Sequence, residues 1–300
     1  MSFNRFFAKK YLVRWLVGGG LLLLLAAGGL WWCRLAVAPE RVFWGMIEQS
    51  FKTSGVTMSS TMQQGESSLE QHLQYSLGAQ NRALSSNTLR QGGAVVTTET
   101  LGTLGADYTR YAHIQTERTS EEGGPLDLAN ILNVWAKTEQ PPGTSQLLSQ
   151  TILGLSVPLG AMPVPIGYLS PDQREKLINQ IKNEGMYEIS FKDVKKEKKN
   201  GRLYYTYQVK VQSIPYVHLV QEFAKSIGLH DLDQVNPNDY QGQPLTIQMT
   251  VDARAKQITE VHVPEVDFRQ TFSAHGIPVS IQPPEQSVPA EELQRRLTEL

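Results

Sequence analysis

From Trp15 to Cys33 the chain is uncharged and mostly apolar, WLVGGGLLLLLAAGGLWWC, and no later run matches it in length. Roughly nineteen residues at about 1.5 Å each span a hydrocarbon core of about 30 Å when Leu12, Val13 or Leu35 extend the ends. This predicts a transmembrane helix over residues 15–36. Arg5, Lys9, Lys10 and Arg14 precede it with no acid among them, whereas only Arg34 and Arg41 follow closely. Cations favour the cytoplasmic side, so residues 1–14 are expected in the cytoplasm and the remainder outside it, on a single-pass protein of the plasma membrane. Ala36-Val37-Ala38 also has the small-residue form of a signal-peptidase site. Pro39 disfavours cleavage there, because it lacks an N–H and fixes φ just after the bond to be cut.

Downstream the periodicity changes. Pro39 suits a first helical position, and Val42, Phe43, Met46, Ile47 and Phe51 recur at helical spacing until Gly55. From Val56 a period of two takes over. Val56–Met58, Leu69–Leu77, Leu84–Val96 and Tyr108–Thr116 predict antiparallel strands rich in Ser, Thr and Gln, joined by Gly or Asn turns. Such a sheet has a thin apolar face that helices must cover. Asp127 to Lys137 sets Leu128, Ile131, Leu132 and Trp135 on one face of an expected helix, and Gln146 to Leu155 a second after Pro141-Pro142-Gly143. Val157 to Tyr168 is apolar but holds three prolines, which exclude both a central strand and a helix. That segment either packs over the core or forms a lid.

Ser170 and Pro171 then open a helix closed by Gly185. Tyr187–Val194 and Leu203–Gln212 predict a hairpin whose tip is Lys195-Lys196-Glu197-Lys198-Lys199, and Pro215–Ile227 a helix buried through Val217, Val220, Phe223, Ala224 and Ile227. Leu245–Val251, Ile258–Val263, Val266–Phe272 and Ile277–Ile281 follow as short strands, and Ala290–Leu300 as a helix or frayed tail. The expected division is a domain over 39–284 and a helical tail over 285–300.

A formal net charge of −1 provides no basic field, which disfavours nucleic-acid binding. The lysine cluster is a solvated tip or a contact with anionic headgroups or polymer. Cys33 is the only cysteine, so no intramolecular disulfide forms, and Trp31 and Trp32 occupy the places where a lipobox needs small residues. The six histidines lack metal-site spacing, Leu153-Gly154-Leu155-Ser156-Val157 lacks the glycines of a nucleophile elbow, and Asp231 to Asp239 lacks the glycine and glutamate of an EF-hand loop. No cofactor and no catalytic residue is predicted.

The final strands carry the most specific pattern. Leu245 to Asp252, Ile258 to Val261, Asp267 to Ser273 and His275-Gly276-Ile277-Pro278-Val279-Ser280-Ile281-Gln282-Pro283-Pro284 together resemble the close of the LppX/LprG-type lipoproteins and the wider lipoprotein-carrier, LolA-like, superfamily. The resemblance implies an α+β fold, a curved antiparallel half-barrel with helices over its concave face, and an apolar interior that holds acyl chains. Leu128, Ile131, Leu132, Trp135, Leu147, Leu148, Ile152, Val220 and Phe223 are then the candidate lining, although the same side chains would equally fill a solid core. The expected function is a non-enzymatic domain binding a lipid, lipoprotein acyl chain or other amphiphile, for transfer or sensing. The alternative is a cell-envelope structural or protein-interaction module with a closed core and an envelope protein as partner.

Overall fold

The computed structural model describes residues 37–78, 80–117, 119, 124–141, 143–145, 147–148, 150, 162–242, 244–277 and 279–299. Five ten-residue strands come first: β1 (Gly55–Gln64), β2 (Ser67–Ser76), β3 (Arg82–Gln91), β4 (Ala94–Thr103) and β5 (Ala106–Gln115). Each is about 33 Å long. The run expected as one strand over 84–96 is two, because Gly92 and Gly93 both take positive φ and reverse the chain between β3 and β4. After β6 (Ala136–Glu139), β7 (Tyr187–Ile189) and β8 (Lys195–Lys199) come β9 (Arg202–Val211), β10 (Leu245–Asp252), β11 (Gln257–Val263), β12 (Phe268–Ser273) and β13 (Val288–Pro289). They form a single sheet ordered β13-β6-β5-β4-β3-β2-β1-β12-β11-β10-β9-β7, with β8 also on β9. All pairs are antiparallel except β13 with β6, so the sheet is mixed.

Among the described residues four complete α-helices accompany it: α1 (Pro39–Ser50), α2 (Pro171–Asn183), α3 (Ser213–Ser226) and α4 (Ala290–Thr298). The periodic stripe of α1 buries Val42, Phe43, Met46 and Ile47 completely. Phe43 meets Trp44, Tyr187, Phe191 and Tyr207 edge to face at 5.4–6.0 Å, while Phe51 stacks on Phe223 of α3 at 6.1 Å. Ser170 caps α2 in a reciprocal capping box with Gln173, and Gly185 at φ 61° ends it, both as the residues predict. The described end of the proline-rich run, Met162 to Gly167, is buried over this core and is no open lid. Its closest approach explains Gly167: a Cβ there would lie 2.6 Å from Phe223 Cζ.

Several expectations are overturned. The half-barrel with helices over a concave face is corrected: the described residues form one large mixed sheet of thirteen strands with four short helices, the longest of these of 14 residues. Residues 127–135 are turns instead of a helix. Asn133 takes φ 61° and gives its N–H to Tyr111 O, after which the chain extends into β6. The lysine run is a paired strand, and the hairpin tip is Asn200-Gly201, both in the left-handed region. Residues 279–284 lie extended without a strand, crossing the other side of the sheet where Ile281 O accepts from Arg82 Nη1. The expected membrane helix over 15–36 lies outside the described residues. Among the described residues no helix is long and apolar enough to cross a membrane, so the single-pass, plasma-membrane placement and the membrane character drawn from it do not stand.

Candidate functional site

Side-chain alternation on β1–β5 assigns every residue to a face, and the register joins the strands row by row. The face under α1 and α3, called inner here, begins with the row Val56–Tyr75–Ala83–Gly102–Asp107. Small Ala83 and Gly102 admit a covering segment. A Cβ on Gly102 would meet Leu148 N at 2.6 Å, and Asp107, buried, accepts from Ser145 Oγ at 2.5 Å and from Leu147 N at 3.2 Å. The next row, Met58–Leu73–Ser85–Thr100–Thr109, completes the closed core at Met58, Leu73 and Ser85.

Beyond it runs a polar belt. Gln270 of β12 pairs with Ser60, Ser60 with Gln71, Gln71 with Asn87, and Asn87 with Thr98. Ser60 and Gln71 are buried and sit 3.5 Å apart at Oγ and Oε1, and Ser85 Oγ donates to Asn87 Oδ1 at 3.2 Å. Gln270 is 1% exposed, yet its Oε1 has no hydrogen-bond partner among the described residues. A buried acceptor left so is costly, by about 1–3 kcal/mol.

Past the belt the inner face turns apolar again. Met62 pairs with Leu69, Leu69 with Leu89, Leu89 with Val96, and Val96 with Ile114, a row across five strands and about 19 Å wide at the usual strand spacing. The bulge at residues 112–113 keeps Ile114 on the inner face. None of the five is buried, and Leu89 is 42% exposed. A shallow cavity of about 620 Å³ opens at this end, lined by Leu89, Gln91, Gly92, Ala94, Val96, Thr116 and Glu117.

The candidate lining residues are dispersed. Leu148, Val220 and Phe223 belong to the main core. Leu128 and Ile131 pack with Leu293 of α4, Leu132 is bridged to Tyr111, and Trp135 lies on the outer face by Leu101, Tyr108 and Ile281 with the Arg110 guanidinium 4.6 Å over its ring. Leu147 is half-buried, and Ile152 lies outside the described residues. Most of the described ones thus fall into separate apolar clusters. The row Met62–Ile114 is the feature that pattern reading passed over. Its residues are apolar at alternate positions, but only the register brings them into line.

A second cleft, of about 1130 Å³, lies at the sheet edge between Tyr187 and Glu188 of β7, Glu184-Gly185, the first turn of α3 and Tyr240 to Gly242. Its carboxylates are occupied: Glu184 pairs with His218 Nδ1 and Glu188 with Lys210 Nζ, both at 2.9 Å. Among the described residues no three His, Cys, Asp or Glu side chains gather as metal ligands. Compared with known proteins, the chain matches no family model and no curated protein.

Proposed function

We propose that this protein is a non-enzymatic module that binds the apolar chain of an amphiphile across the distal inner face of β1–β5. One observation carries it: the five-residue apolar row Met62–Leu69–Leu89–Val96–Ile114, incompletely covered and bordered by a buried polar belt. Burying apolar area there contributes about 25 cal/mol per Å², which drives association without covalent chemistry. The polar belt of Ser60, Gln71 and Asn87 bounds this row on its core side and sets it apart from the closed core. Titration of the purified chain with a fluorescent fatty acid tests this. Saturable binding competed by unlabelled amphiphile is expected, and no saturable binding would refute it.

The second reading, a protein-interaction module, is favoured by the closed core beneath α1 and α3 and by the cleft beside β7. It predicts that crosslinks to a partner polypeptide cluster on Tyr187, Ile214 and Tyr240 rather than on the apolar row.

A further inference from the structure

We infer that β8 and its turn form a docking edge for an anionic phospholipid surface. All five residues of Lys195-Lys196-Glu197-Lys198-Lys199 are exposed, and Lys192 adds another exposed cation nearby. Among the described residues none of Lys192, Lys195, Lys196, Lys198 and Lys199 has a carboxylate within ion-pair distance. Elsewhere Lys52, Lys176, Lys210, Arg110, Arg269 and Arg296 are paired at 2.5–2.9 Å. Only Asp193 and Glu197 oppose this charge within the hairpin, and Asp193 already accepts from Ser190 Oγ.

The shape of the patch selects the partner. Lys195 and Lys199 face one side of the sheet and Lys196 and Lys198 the other, because successive strand residues alternate. No groove can engage both sets. A plane laid against the edge can, since flexible lysine stems reach it from either side. β8 pairs with β9 alone among the described strands, so its other edge is free for that approach. Lys196 Nζ lies 5.8 Å over the Tyr205 ring, and Tyr205 OH donates to Val37 O at 2.6 Å, so the entry of the chain into the fold lies beside the same edge. A duplex nucleic acid would need a broader basic face than these few residues supply. Surface contact of this kind needs no membrane-crossing helix and is independent of the inner-face binding proposed above.

The test uses the full chain carrying Cys33→Ser and Glu197→Cys, with an environment-sensitive fluorophore on residue 197. Vesicles containing nitroxide-labelled lipid are made of phosphatidylcholine alone or mixed equally with phosphatidylglycerol. Val37 lies beside this edge, so the apolar run 15–33 would bring it to either vesicle alike, and the readout is the excess of quenching on the anionic over the neutral vesicles. A clear excess with the anionic vesicles is expected, abolished by high salt. Each lysine is worth about fivefold in partitioning, so Lys196→Gln with Lys198→Gln should weaken the anionic-dependent quenching about 25-fold. Equal quenching on both vesicles, or none, overturns the proposal. Loss of a fluorescence response to vesicles alongside a strong one to soluble polyphosphate overturns it in favour of a soluble polyanion.

Discussion

Leu89→Asp separates the apolar row from the core on which the fold depends. Leu89 is 42% exposed, and complete burial of a leucine contributes about 1.5–3 kcal/mol, so covering the remaining surface with a ligand is worth about 0.6–1.3 kcal/mol. Truncation to Ala should therefore weaken amphiphile binding about 3- to 9-fold. Aspartate should weaken it more than about tenfold, since the ligand must also desolvate a carboxylate. The native pairing of β3 with β2 and β4 does not need this side chain, and the change in strand preference costs at most about 1 kcal/mol. Arg90→Ala is the control. Arg90 projects from the other face of β3, where its exposed pair with Glu70 at 3.8 Å adds little. Fluorescent fatty-acid titration of the three variants, with thermal melting to confirm the fold, measures the effect. Wild-type affinity in Leu89→Asp, or an equal loss in Arg90→Ala, would show that the chain does not lie on this face.

Ser145→Ala removes a hydrogen bond to the buried Asp107 carboxylate and the acceptor for Leu148 N at 3.1 Å, so a loss of about 2–4 kcal/mol is expected as a lower urea midpoint at unchanged slope. Gly167→Ala forces a Cβ to within 2.6 Å of Phe223 and should cost about 1–3 kcal/mol, measured the same way. Burial pushes the His275 imidazole below its ordinary range, although its Nε2–H donates to Ile258 O at 2.8 Å. The unfolded chain then binds the proton more readily, so this contribution to stability is present above about pH 6.5 and lost as the pH falls through the lower folded value. His275→Asn should flatten the pH dependence of the melting temperature in that window, and an unchanged slope would count against the assignment.

Local chemistry was legible where it is decided within a few residues. Pro39 with the stripe Val42 to Phe51 specified α1, and Ser170-Pro171 with Gly185 bounded α2. The alternating segments between Val56 and Thr116 announced strands, but not that Gly92-Gly93 would divide one of them. The expected helix at 127–137 failed because its apolar residues serve three separate contacts, with α4, with Tyr111 and with the outer face, and a 3.6-residue period cannot tell these from one buried stripe. Lys195 to Lys199 lacks the apolar alternation of a half-buried strand, yet pairs along β9 at an edge where both faces stay wet. The apolar row was hidden for a simpler reason: Met62, Leu69, Leu89, Val96 and Ile114 meet only through four inter-strand registers, one of them shifted by a bulge.

The central claim, that an apolar chain is held on the distal inner face of β1–β5, is tested most directly by photocrosslinking. The full chain is irradiated with a diazirine-bearing fatty acid and the modified peptides are mapped by mass spectrometry. Labels are expected on Met62, Leu69, Leu89, Val96 and Ile114, competed by unlabelled amphiphile and lost in Leu89→Asp. Labelling confined to the run 15–33, or to the cleft beside β7, would contradict the account.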